Sequence, residues 1–115
     1  KEAGCAAILV SHHHGRIPFG VAPVMVLPKI KAALEGSGIA IFVDCGIDTG
    51  YDAYKALALG ADAVAVGRGI LKPLLQQGAE GVEEKVQKMN EQLSELMMYT
   101  CVKDTRSFDA SVLYL

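Results

Sequence analysis

Three short segments of this sequence combine residue types that can do chemistry. In Ser11-His12-His13-His14-Gly15-Arg16, His13 stands three residues before Arg16. An imidazole can act as a general base, and a guanidinium can hold a carboxylate through two parallel hydrogen bonds, so the pair suits an acidic substrate. Asp44-Cys45-Gly46 sets a carboxylate that can accept from a ligand hydroxyl beside a glycine that lets a ligand approach the backbone. Gly67-Arg68-Gly69 offers backbone N–H groups and a charged fork, the parts a phosphate site requires. Each segment has a plainer reading as well: a surface histidine, or an exposed turn with a solvated arginine. The three consecutive histidines raise the question of a metal. Adjacent side chains diverge, however: in an extended strand end His12 and His14 should point away from the face His13 occupies, and no second cluster of ligands appears in the sequence, so no metal is assigned.

Each segment follows an apolar run with no polar alternation, at residues 6–10, 39–43 and 63–66. Such runs are expected of parallel strands covered on both faces. The stretches 24–34 and 51–59 between them are long enough for crossover helices. Residues 80–98 place Val82, Val86, Met89, Leu93 and Leu96 at alternating four- and three-residue steps, with Met97 four residues after Leu93. That spacing predicts a long amphipathic helix covering the last strand, with Met89, Leu93 and Leu96 against the sheet. Gly4 to Ser11 and Gly60 to Gly67 share one pattern, a weak internal repeat of a single strand unit. The order is β-α-β-α-β, and parallel α/β folds bind ligands at the edge where all three segments fall. Three parallel strands leave two open edges, which calls for the rest of a barrel or a second chain to cover them. An independent three-stranded sheet is the alternative.

The composition narrows the partners. Half of the 115 residues are apolar (51%), enough for a core, and the formal charge of −2 is spread without a basic block. Nucleic acid and anionic membrane surfaces are therefore not expected partners. No apolar run reaches the roughly 18 residues of a membrane span, and a cytoplasmic protein is expected. Cys5, Cys45 and Cys101 are odd in number and lack CxxC spacing, so reduced thiols are expected. The abrupt start on a strand, without an initiator Met, suggests a piece of a longer parent.

Taken together the segments resemble the FMN-dependent α-hydroxy-acid oxidase and dehydrogenase family, which includes glycolate and lactate oxidases. Ser11-His12-His13-His14-Gly15-Arg16 is similar to that family's Ser-Asn-His-Gly-Gly-Arg, with His13 and Arg16 in register. Ile41-Phe42-Val43-Asp44-Cys45-Gly46-Ile47 resembles its Asp-Gly-Gly strand end, and the stretch from Lys55 to Val64 its helix-to-last-strand segment. Val66-Gly67-Arg68 resembles its final phosphate loop. The resemblance implies the last three strand–helix units of a (β/α)8 TIM barrel. It further implies that His13 takes the proton of a small 2-hydroxy acid as hydride passes to FMN, and that Arg16 binds the substrate carboxylate. Ser11, Asp44, Gly46, Gly67 and Arg68 would hold the FMN, and a homo-oligomer would be expected. The family's flavin-side lysine and tyrosines have no counterpart here, Lys1 being expected at the end of a helix, so this stretch alone should not turn over substrate.

The sequence also departs from the family. His12 and His14 replace an Asn and a Gly, and residues 17–23 are about one residue short and lack an Asp. Asp48 stands where the family commonly has a phosphate-binding Arg. A carboxylate ~6 Å from a phosphate costs roughly 3 kcal/mol per unit-charge pair at an effective dielectric near 20. The reading preferred from sequence turns Asp48 to solvent beside a helix start, with Thr49 and Asp52 forming a capping box. Two other functions stay open: another phosphate-binding barrel enzyme, and a barrel that has lost flavin chemistry and persists as a ligand-binding or assembly module.

Overall fold

The computed structural model describes residues 2–114. Lys1, expected at a helix end, lies outside the described residues. In chain order the elements are β1 (Ala7–Val10), α1 (Pro23–Leu34), β2 (Ala40–Val43), α2 (Gly50–Ala58), β3 (Ala63–Val64) and α3 (Leu71–Tyr99). Short 3-10 turns add Arg68–Ile70 and Ala110–Val112. The strands pair in parallel in the order β1-β2-β3, with Leu9 opposite Phe42 and Val43 opposite Val64. The expected α/β arrangement of parallel strands joined by helices is present.

Local chemistry sets the helix starts. Pro23 opens α1, where its missing N–H costs nothing. Thr49 caps α2 in a full capping box: its side chain accepts from the Asp52 N–H, and the Asp52 carboxylate accepts from the Thr49 N–H at 2.9 Å. The expected box is therefore real, and it fixes where the chain leaving Asp44 turns into a helix.

Val10, Ile41 and Val43 project into a core completed by Leu27 of α1, Ala53 and Ala56 of α2, and Ile47. The opposite face of the sheet is open: Leu9 is 54% and Phe42 40% exposed, side by side on paired strands. The strands were expected to be covered on both faces, and here the helices cover one. β3 is also shorter than the 63–66 expected. Ala65 N–H still donates to Val43 O at 2.8 Å, after which the chain enters the Gly67 turn.

The long helix expected over residues 80–98 is present, and Gly78 (φ 64°, ψ −143°), in a left-handed conformation that glycine adopts without the Cβ penalty, kinks it from a preceding helical stretch that begins at Leu71. It packs chiefly along α2 rather than across the sheet. Gly50 N–H donates to Gln92 Oε1 at 2.9 Å, Tyr51 Oη to Glu95 at 2.7 Å and Tyr54 Oη to Thr100 Oγ1 at 2.6 Å. Met89 reaches the core as expected, whereas Leu93 and Leu96 are only half-buried because α2 lies between much of this face and the sheet. Gly50 permits that approach: a Cβ there would run into the Met89 carbonyl oxygen and stand 2.7 Å from Leu93 N. Gly50→Ala is accordingly expected to destabilise the protein by about 1–3 kcal/mol, the usual cost of forcing an overpacked contact apart. Urea denaturation reads this directly, and unchanged stability would mean that α2 and α3 do not meet here.

Candidate active site

The three polar segments meet at one end of the sheet, around a cavity of about 200 Å³. His13, His14, Asp44, Gly46, Asp48, Gly67 and Arg68 are among its lining residues. The turn after β1 is held by a ladder of side-chain acceptors. His13 N–H donates to Ser11 Oγ (3.0 Å), His14 N–H to Cys45 Sγ (3.1 Å) and Gly15 N–H to His12 Nδ1 (2.9 Å). These bonds support left-handed backbone at both His13 (φ 52°) and His14 (φ 55°), a costly conformation for residues with a Cβ.

This geometry corrects part of the sequence reading. Alternation along an extended strand end would have turned His14 away from the face of His13, but the chain is a turn there and both line the cavity. His12 is instead a brace. Its Nδ1 lies the same number of bonds from the backbone as an asparagine Oδ1, so it can take over the acceptor role of the Asn in the resembling motif. Ser11 also serves the loop, through His13 N–H and a 3.5 Å contact to Cys45 Sγ, and does not line the cavity. Arg16 is exposed in the same turn and lies outside the cavity lining.

Asp44 is poised to stay ionised. Burial pushes its carboxyl up, but hydrogen bonds from the Cys45 thiol (2.9 Å) and Ser11, with the nearby His12 and His13, outweigh that and hold it below the usual aspartate value. Cys45 was not singled out from sequence as a site residue. It occupies a left-handed position (φ 66°) next to Gly46 (φ 89°), and its Sγ joins the two loops by contacting Ser11, His14 and Asp44. The signal was present, since the resembling motif has glycine at this point. Because the folded value of Asp44 is depressed, its ionisation contributes stability that is present above the unfolded value and lost as pH falls through the folded one. Cys45→Ala removes the thiol donor and is expected to move the Asp44 midpoint upward in a carboxyl NMR titration. An unchanged or lower midpoint would remove the thiol from this role.

On the other side of the cavity the Gly67, Arg68 and Gly69 turn carries backbone N–H groups and the Arg68 guanidinium. The amides of Gly46, Gly67 and Gly69 have no acceptor among the described residues. Free amides from two loops beside a guanidinium form a donor set suited to phosphate oxygens. Asp48 is the exception. It is exposed, as expected, and its carboxylate also borders this cavity, where a Cβ added to Gly69 would run into Asp48 Oδ1. The capping box and the carboxylate at the cavity thus coexist, because Thr49 and not Asp48 is the cap.

The three loops lie at the strand-end edge of a parallel sheet, where α/β proteins bind their ligands. The chain belongs to the FMN-dependent dehydrogenase family, whose model matches residues 1–115. It is 42% identical to an L-lactate oxidase of Lactobacillus jensenii over 88% of this chain and 25% of that protein. With 2-hydroxyacid oxidase 1 of Mus musculus it shares 40% identity over 97% of this chain and 31% of the relative. A flavocytochrome b2 with sulfite bound superposes with a TM-score of 0.93 at 31% identity, over 99% of this chain and 31% of that one. The chain therefore spans about a quarter to a third of the length of these relatives. The family is one of flavoenzymes, and FMN is its cofactor. The glycine amides and Arg68 fit the phosphate end of that cofactor, and the carboxylates of Asp44 and Asp48 in the same lining do not.

Proposed function

We propose that this chain forms the last three strand–helix units of a (β/α)8 barrel that oxidises a small 2-hydroxy acid with FMN. The observation that carries the reading is the convergence of His13, Asp44, Gly46, Gly67 and Arg68 on one cavity, in a chain of the FMN-dependent dehydrogenase family. Gly46, Gly67 and Arg68 bind the phosphate, and ionised Asp44 accepts from the ribityl hydroxyls. When bound, FMN supplies a ring that can take up hydride. His13 accepts the proton of the substrate hydroxyl at an imidazole nitrogen as the C–H hydrogen leaves as hydride, so no high-energy alkoxide has to form.

Arg16 holds the substrate carboxylate from the rim of the turn, where its exposure leaves it free to close on a ligand. The rest of the barrel covers Leu9 and Phe42 and supplies the groups these units lack. With the complete chain, FMN should bind much more tightly than riboflavin, since the phosphate end makes the contacts described here. Equal affinities for the two flavins would overturn the assignment of this cavity.

A further inference from the structure

The carboxylate of Asp48 gives the cavity a property that its donors alone do not. Asp48 is fixed through its backbone: its N–H donates to Asp52 Oδ2 at 3.3 Å, and its carbonyl accepts from Lys85 Nζ at 2.6 Å. Clamped between α2 and α3, it presents its side chain to Gly69, across from the Gly46 amide and beside Arg68. A ligand held by the amides of Gly67 and Gly69 would thus sit next to this carboxylate. Resting on the FMN reading above, we infer that Asp48 makes this a subsite for a protonated phosphate monoester, accepting a hydrogen bond from the P–OH of the monoanion and discriminating against dianions.

Electrostatics supports this directly. A phosphate monoester loses its second proton near pH ~6, so at neutral pH in water it is largely dianionic. Beside Asp48 the dianion meets a like charge, which disfavours the deprotonated form. With the proton retained, repulsion is replaced by a short charge-assisted O–H···O⁻ bond, while Arg68 and the glycine amides satisfy the remaining oxygens. The proton comes from solvent, and no bond to phosphorus changes. The other charged or titratable groups around the cavity are His13 and His14 from the β1 turn, Asp44 at the end of β2, and, on the outer side of Asp48, Asp52 and Lys85. Protonated histidines would also favour an anion as pH falls, so Asp48 must be separated from them by substitution.

Asp48→Asn serves that purpose, because it keeps size and shape at an exposed position and removes only the charge. FMN titrations of the complete apoprotein, followed by flavin fluorescence, should show the wild type binding about 20-fold more tightly near pH 5.5 than near pH 7.5, as the monoanion fraction rises. The variant should bind more tightly than the wild type near pH 7.5 and show a clearly flatter profile. Inorganic phosphate should displace FMN from the wild type near pH 5.5, whereas sulfate, which carries no proton there, should fail. Both anions should compete in the variant. Equal pH slopes in the two proteins, or sulfate matching phosphate on the wild type, would overturn the inference and leave the FMN reading intact. Failure of both proteins to bind flavin at any pH would overturn that reading, and this inference with it.

Discussion

Replacing His13 with alanine is expected to slow flavin reduction in the complete protein by about 10²–10⁴-fold, the usual worth of a positioned general base. FMN affinity should be largely preserved, because the phosphate contacts come from the other two loops. The turn that presents His13 is held by Ser11 and Cys45 through backbone N–H groups, so removing the imidazole leaves the ladder in place. His14 lines the same cavity, and the parallel variant His14→Gly is therefore informative. It is expected to be mild, as is His12→Asn, which preserves an acceptor for the Gly15 N–H. A large loss in His14→Gly with His13→Ala active would transfer the base to the neighbouring residue.

Arg68→Ala should weaken FMN binding by about 1.5–3 kcal/mol, the range for a charged hydrogen bond, or roughly 10- to 150-fold in Kd. The effect should reside in the phosphate, so riboflavin affinity should hardly change. Arg68 carries this weight because it is the single permanent cation in the cavity lining, which also holds the carboxylates of Asp44 and Asp48. An unchanged Kd for FMN would remove Arg68 from the site and leave the glycine amides as its only donors.

Much of the fold could be read from local pattern. The apolar runs, the crossover lengths and the Thr49 capping box depend on near neighbours in sequence, and they appear where expected apart from the shorter β3. Leu9 and Phe42 were misjudged because an apolar residue reads the same whether its covering layer is present or lies elsewhere. Leu93 and Leu96 were overestimated because helical periodicity gives the buried face but not the partner, and that partner is mainly α2, admitted by Gly50.

The site was legible as residue types and loop positions but not as backbone conformation. His13, Asp44, Gly46, Gly67 and Arg68 come together as expected because strand ends in a parallel sheet converge. The left-handed backbone at His13 and His14 was not foreseeable from residues that rarely adopt it, and it put His14 into the cavity. Asp48 is exposed as expected, but that its carboxylate also borders the cavity beside Gly69 was not legible, because the capping box accounts for the local sequence without using its side chain. Cys45 was passed over for a similar reason: its contacts reach 31 and 34 residues back to His14 and Ser11.

The most direct test of the account is anaerobic mixing of the purified, FMN-loaded complete protein with a panel of small 2-hydroxy acids while the flavin absorbance is followed. At least one acid should bleach the oxidised flavin at a rate that collapses in His13→Ala, with release of the matching 2-oxo acid. Tightly bound FMN that no 2-hydroxy acid reduces would contradict the assignment and favour a barrel that keeps the phosphate site without the oxidation chemistry.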